Sequence, residues 1–276
     1  TGNPTRGPAI EVSLGTEPTR RVIAKSFPIS IDARSFEALA REPRIQARAR
    51  EIREGLGNPR TVMLGVDRLD YTKGIAHRMK AFGELLAEGR LSVQDVTLVQ
   101  VASPSRERVE AYMNLRDEIE LTVGRINGDY GTMSHQAISY HHHGYPRDEM
   151  VALYLAADVM LVTALRDGMN LVAKEYVAAQ NPEDPGVLVL SRFAGAAEQM
   201  GEALLVNPFS REELSDAILK ALTMPLDERR RRWEALMQVV RDTDVGIWRD
   251  SYVGALKKVA IRADDEVVAD AAEPVA

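Results

Sequence analysis

The sequence predicts an α/β fold built on a doubly wound parallel sheet. Two observations carry that prediction: short, nearly continuous apolar runs recur along the chain, and amphipathic stretches of helical period separate them. Continuous apolar character marks strands covered on both faces, as in a parallel sheet. Strand, helix and strand in regular succession then require right-handed crossovers, with helices on both sides.

Taken in order, "AIEVSL" (9–14) and "RRVIAKSF" (20–27), joined by "GTEPT", read as a hairpin and stand apart from the rest. "IDARSFEALA" (31–40) opens a helix with Asp32 as its N-cap. Strands follow at "TVMLGV" (61–66), "DVTLVQVA" (95–102), "DVMLVTAL" (158–165), "GVLVLS" (186–191) and "ALLVN" (203–207), with "SYHHHG" (139–144) a further candidate. Between them, "GIAHRMKAFGELLAEG" (74–89) and "RERVEAYMNLRDEIELTVGRI" (106–126) have helical period, the second with Val109, Met113, Ile119 and Leu121 among its apolar positions. The chain closes with helices at "PLDERRRRWEALMQVVRDTD" and "VGIWRDSYVGALKKVAI", then a tail, "RADDEVVADAAEPVA", expected to fray.

Composition narrows the function classes. Hydrophobic residues make up 45% and charged residues 28% of the 276, as expected of a folded chain with a packed core. A formal net charge of -6 argues against broad electrostatic binding to nucleic acid or to an anionic membrane, so an anionic ligand must be met by a few placed cations. With no cysteine there is no disulfide framework, thiolate metal site or cysteine nucleophile, which fits a cytoplasmic protein. No apolar run approaches the roughly 20 residues that span a bilayer.

In an open parallel sheet, ligands bind at the carboxyl ends of the strands, where loops lead into helix N-termini. The loop in "GVDRLDYTKG" (65–74) carries Arg68 and Lys73 just before a helix whose first amides lack intrahelical partners. Arginine offers a planar fork to phosphate oxygens and lysine a mobile point charge, so together they suit a polyphosphate. The same spacing is equally compatible with Arg68 and Lys73 pairing with Asp67 and Asp70 on a solvated loop. In "RDGMNLVAKEY" (166–176), Asp167 stands at a strand end where it can fix sugar hydroxyls, with Gly168, Asn170 and Leu171 near exposed amides. Glu175, two helical turns beyond Asp167, can accept ribose hydroxyls. A plain "DG" turn with a solvated glutamate is the competing account. "SRFAGAAEQMG" (191–201) has small residues that permit either close backbone approach or helix-sheet packing. His141, His142 and His143 are adjacent on a candidate strand, so neighbouring side chains point to opposite faces and the three do not converge on one metal.

Together, "GVDRLDYTKG", "VASPSRERVEAY", "GRINGDYG", "LVTALRDGMNLVAKEYVAAQ" and "GVLVLSRFAGAAEQM", in this order, closely resemble the trehalose-6-phosphate synthases. The resemblance runs from about Pro28 to near Ala260. It implies the GT-B architecture of two facing Rossmann-like domains, and a retaining, metal-independent glycosyltransferase without cofactor that moves glucose from UDP- or ADP-glucose to glucose 6-phosphate. Carried over residue by residue, it assigns Arg68 and Lys73 to the donor diphosphate and Asp167 to the donor glucose, these three forming the catalytic set. The amides of Gly168 and Met169 assist Asp167. Asn170 and Leu171 meet the diphosphate, with Val172 also among the donor-binding residues, Glu175 meets the ribose, Tyr145 the base by backbone contact, and Arg106 the acceptor phosphate.

The resemblance also implies that the chain is the C-terminal, donor-binding half. Residues 1–30 are then expected to be a remnant of the preceding N-terminal domain, 31–264 a nucleotide-sugar-binding domain with a final crossing helix, and 265–276 a flexible tail. The missing N-terminal domain would supply most of the acceptor pocket, so the isolated chain is expected to bind donor weakly and turn over little, and to self-associate through an exposed face. Two alternatives stay open: a GT-B enzyme with another acceptor, and a non-catalytic nucleotide-sugar-binding module. A nicotinamide-linked dehydrogenase is disfavoured, because no GxGxxG follows the first strand of the βα pattern.

Overall fold

The apolar runs assemble into a sheet of six parallel strands in a computed structural model, which describes the backbone of residues 9–12 and 20–270 and the side chains of 24–258. The strands are β3 (Thr61–Arg68), β4 (Val96–Ser103), β5 (Ile138–His141), β6 (Val159–Val162), β7 (Val187–Ser191) and β8 (Leu204–Val206), in the spatial order β5-β4-β3-β6-β7-β8. Met63 pairs with Leu98 and Val159, and Val159 with Val187, so a single row of apolar side chains runs across the sheet.

Alternation along each strand sends its residues to two cores. Val62, Leu64, Val99, Met160, Val162, Leu188 and Leu190 pack in one cluster with residues of α1 (Ala33–Ala40), α2 (Pro43–Gly55), α5 (Arg147–Ala156), α6 (Leu171–Ala179) and α8 (Leu226–Asp242). Met63, Leu98, Val159, Leu161, Val187 and Val189 pack on the other face with α3 (Ile75–Ala87), α4 (Glu110–Tyr130) and α7 (Arg211–Thr223). This is the doubly wound arrangement expected from the sequence.

Local chemistry fixes the helix ends. Asp32 caps α1 by accepting from the Ser35 amide at 3.0 Å, as read from sequence, and Ser210 caps α7 through the Glu213 amide at 3.2 Å. The four consecutive arginines of α8 serve neighbours rather than a ligand. Arg229 donates to Asp184 and the Pro185 carbonyl, Arg230 to the Glu183 carbonyl, Arg231 to Glu202, and Arg232 to Glu228 and the Glu202 carbonyl.

Several elements depart from the sequence reading. Strand β6 stops at Val162, before the Leu165 expected, because the chain turns to meet the loop after β3. Helix α4 begins at Glu110 and buries Tyr112, Ile119 and Ile126, leaving Val109, Met113 and Leu121 exposed. Helices α2, α5 and α7 were not foreseen.

The chain divides into two units: residues 30–244, which hold the sheet, and residues up to 29 together with those from 245 onward. In the second, β1 (Ala9–Val12) and β2 (Arg20–Ile23) pair antiparallel, the hairpin expected from sequence, while the "GTEPT" connection lies outside the described residues. There Trp248 of α9 (Val245–Asp270) donates its indole N–H to the Phe27 carbonyl at 3.1 Å, and Tyr252 meets the Phe27 ring edge-on. Helix α9 runs on to Asp270, so the stretch expected to fray from 262 and read as a flexible tail from 265 is helical up to that residue; 271–276 lie outside the described residues. No helix among the described residues is long and apolar enough to cross a membrane.

Candidate functional site

From β3 the chain winds outward through β4 to β5, whereas from β6 it winds the other way through β7 to β8, so the sheet has its topological switch point between β3 and β6. Ligands of open α/β sheets sit at that point, beyond the carboxyl ends of the strands. The loops leaving β3 and β6 meet there. The Leu165 amide donates to the Thr72 carbonyl at 2.7 Å, and Lys73 Nζ lies 2.5 Å from Asp167 Oδ2, with both side chains about 15% exposed. Gly74, between the short 3-10 turn Tyr71–Lys73 and α3, makes this closeness possible. Its φ is +66°, and a Cβ there would collide with the Thr163 carbonyl.

The charges of the β3 loop are not neutralised within it. Asp67 is buried and ion-paired with Arg78 of α3, which also donates to the Leu161 carbonyl. Lys73 goes to Asp167. Asp70 turns its carboxylate onto the Thr72 amide (2.9 Å) and hydroxyl (2.8 Å) and accepts from the Tyr112 hydroxyl at 3.0 Å. Burial acts to raise the Asp70 pKa, but these hydrogen bonds and the charge of Arg68 prevail and hold it below the usual carboxylate value. Arg68 itself is exposed, and its guanidinium makes no hydrogen bond or ion pair with a described residue. The competing account, in which Arg68 and Lys73 pair with Asp67 and Asp70, is therefore not the arrangement found.

Backbone contacts from the β7 side hold the loop after β6. The Asp167 amide donates to the Phe193 carbonyl at 3.1 Å, the Gly195 amide to the Asp167 carbonyl at 3.1 Å, and the Ala196 amide to the Met169 carbonyl at 2.8 Å. At Gly195 a Cβ would strike the Gly168 carbonyl, so the small residues of this turn serve close backbone approach. Asp167 also accepts from the Asn170 side chain at 3.2 Å and from the Met169 amide at 3.4 Å. Asn170, at φ +69°, is the N-cap position of α6, and its buried side-chain oxygen has no partner among the described residues. Gly168 is exposed, and Leu171 and Val172 form the half-buried first turn of the helix.

One turn further along α6, Glu175 accepts from the Tyr154 hydroxyl at 2.8 Å. Burial raises its pKa, against the opposing pull of that hydrogen bond and of Arg147. Next to it, Lys174 is fully buried with only hydroxyls as partners among the described residues, Ser30 at 3.0 Å and Thr243 at 3.3 Å, and burial lowers its pKa to about 8.

The remaining candidates attach elsewhere. Arg106 is exposed at φ +47° and donates to the Tyr112 hydroxyl at 3.1 Å, its guanidinium 5.6 Å from that ring. Tyr145 shares a 2.9 Å hydrogen bond with His141 Nδ1 and packs against the His143 ring, while His141 Nε2 meets the Ser139 hydroxyl. His142 lies beside the Tyr140 ring, 3.6 Å from Glu107. Direct bonds thus bring Lys73, Asp167, Met169 and Asn170 together, while Arg106 reaches the β3 turn through Tyr112 and Asp70. Tyr145 and Glu175 are held by separate partners. Sequence reasoning missed Tyr112, Arg78 and the capping role of Asp70; only Asp70, two residues before Thr72, left the signature of an Asx turn.

Chemically, the switch point offers two cations of the β3 loop, the positive end of α6 with unpaired first-turn amides, and a carboxylate. This set can take an anion flanked by hydroxyl groups.

The description of glycosyltransferase family 20 matches residues 11–258. Trehalose-6-phosphate synthase of Mycobacterium leprae is 54% identical over 237 residues, 86% of this chain and 47% of that protein. Among solved structures, an α,α-trehalose-phosphate synthase (UDP-forming) from Burkholderia xenovorans in complex with glucose-6-phosphate superposes with a TM-score of 0.83 at 41% identity, over 86% of this chain and 52% of that one. A trehalose-6-phosphate protein from E. coli bound with UDP-2-fluoro glucose gives 0.81 at 38%, over 86% and 52%. The chain thus spans about half the length of the relatives it matches, and its sheet corresponds to one Rossmann-like domain of their GT-B fold.

Proposed function

The chain belongs to glycosyltransferase family 20, and from that premise we propose that it is the donor-binding half of an α,α-trehalose-phosphate synthase, which moves glucose from a nucleotide diphosphate glucose to glucose 6-phosphate with retention. The observation that carries this reading is the meeting of Lys73 and Asp167 at the switch point, 2.5 Å apart. It puts a phosphate-seeking cation and a hydroxyl-seeking carboxylate side by side, as a sugar bonded to a diphosphate demands.

In this reading Arg68 and Lys73 hold the donor diphosphate, with Asn170, Leu171 and Val172 at the start of α6. Asp167 binds glucose hydroxyls, assisted by the amides of Gly168 and Met169. Glu175 accepts from the ribose, Tyr145 lies by the base, and Arg106 takes the acceptor phosphate. During transfer the acceptor hydroxyl oxygen bonds to the anomeric carbon on the face from which the diphosphate departs. The carbon–oxygen bond to phosphate breaks, and the hydroxyl proton passes to the departing phosphate oxygen. Negative charge grows on that phosphate, so cations and amides fixed beforehand stabilise the transition state more than the bound donor. Family relatives carry about as much chain again, and we place the rest of the acceptor pocket there. By itself the 276-residue chain then binds donor weakly and turns over little.

Calorimetric titration of the chain with UDP-glucose, ADP-glucose and GDP-glucose tests the reading. Binding to one of them, lost in Lys73→Ala with the fold intact, is the expected result. Binding that survives Lys73→Ala, or no binding at millimolar concentrations, would refute the proposed donor site.

A further inference from the structure

Arg106 and Lys73 stand on different loops, one after β4 and one after β3, yet an unbroken line of polar contacts joins them. Arg106 Nη1 donates to the Tyr112 hydroxyl at 3.1 Å, and that hydroxyl donates to Asp70 Oδ2 at 3.0 Å. The other Asp70 oxygen accepts from the amide and hydroxyl of Thr72, and the Lys73 amide closes the turn on the Asp70 carbonyl at 3.0 Å. The direction of each link follows from chemistry. A carboxylate only accepts and a guanidinium only donates, so the one tyrosine proton goes to Asp70 and its lone pair faces Arg106.

The line is also shielded. Tyr112 is 4% exposed, and the Tyr71 ring packs edge-on against it with centroids 5.7 Å apart. Buried hydrogen-bond networks are worth most when every member is satisfied, so disturbing one end shifts the free energy of the whole. Arg106 holds a left-handed backbone conformation that non-glycine residues seldom adopt. Ordering of this side chain is thus already linked to ordering of the turn that carries Lys73.

We propose that Tyr112 is a positioning residue that couples the two subsites, so that a phosphate ester on Arg106 and a diphosphate on Lys73 bind more tightly together than apart. This inference rests on the reading of Arg106 and Lys73 given under the proposed function. The coupling is reciprocal: each ligand orders the network that the other needs.

The test measures UDP affinity of the 276-residue chain by NMR titration, with and without saturating glucose 6-phosphate, in the wild type, Tyr112→Phe and Arg106→Gln. Glucose 6-phosphate is expected to tighten UDP binding by about fivefold or more in the wild type. In Tyr112→Phe each ligand alone still binds but the enhancement vanishes; thermal melts establish that this variant is folded. Arg106 is exposed, so Arg106→Gln leaves the core untouched, and it too should lose the enhancement. Enhancement that persists in Tyr112→Phe overturns the inference, as does UDP binding that glucose 6-phosphate leaves unchanged in the wild type; both leave the donor site standing. Absence of UDP binding in the wild type would bring down the donor reading and the coupling with it.

Discussion

Lys73 Nζ and Asp167 Oδ2 lie 2.5 Å apart although 94 positions separate them in sequence. Each is the other's counter-ion in the ligand-free protein, so a diphosphate that recruits Lys73 competes with a carboxylate already in place.

Asp167→Asn should therefore separate the two halves of the donor. UDP, which has no sugar, should bind between about twofold and tenfold more tightly, because Lys73 is released from a partly buried ion pair. UDP-glucose should lose its advantage over UDP, because the group proposed to hold glucose hydroxyls is gone. Calorimetry with both ligands reads both effects, and weaker UDP binding would contradict the argument.

Nucleotide affinity should fall in mildly acid solution. In the proposed role Glu175 accepts two ribose hydroxyls, which takes both oxygens of a carboxylate, and burial raises its pKa. Affinity is complete above that raised value and is lost as pH falls through it, at higher pH than for an ordinary carboxylate. Tyr154→Phe removes a hydrogen bond that opposes the rise, so the midpoint should move further up. An analogue lacking the ribose hydroxyls should show little of this pH dependence.

Lys174 makes stability depend on pH in the alkaline range. Its pKa is lowered from 10.5 to about 8 by burial, so the unfolded chain binds more protons between those values. The contribution is complete above about 10.5 and is lost as pH falls through about 8, a difference on the order of 3 kcal/mol. Other groups titrate here too, so the quantity to measure is the wild type minus Lys174→Met. That difference in unfolding free energy should rise with pH across the window, and a flat difference would refute the assignment.

The buried pair beneath the site should be costly to break. Arg78→Met leaves the buried Asp67 carboxyl without its partner, and should destabilise the fold by about 3–5 kcal/mol in urea unfolding. Combining it with Asp67→Leu should recover much of the loss, because an apolar pair of similar volume replaces two buried ions.

The sheet was legible because its strands are apolar on both faces, as "TVMLGV" and "GVLVLS" show directly. Helix α2 was not, since only Ile45 and Ala49 of its residues are buried and arginine dominates the rest. In α4 the apolar residues misled: Tyr112, Ile119 and Ile126 recur at sevens and form a stripe narrower than the hydrophobic pattern. At the site, Arg68, Lys73 and Asp167 could be singled out because charge at the end of a buried strand is conspicuous. Their partners could not. Arg78 looks like a solvated helix residue until the fold carries it across Gly65, where a Cβ would meet its guanidinium. The Arg106–Tyr112–Asp70 line joins two loops whose adjacency only the sheet order supplies.

Ser30 and Thr243 both lie within hydrogen-bond reach of one nitrogen, that of Lys174. The polypeptide therefore enters and leaves the sheet-bearing unit at a single doorway. A segment whose two ends coincide can be lifted out of one chain and set into another without stretching either, because its host sees only a short gap. Residues 30–244 have the geometry of a transplantable cassette, and a permuted version with new ends in a surface loop needs only a brief bridge at that doorway.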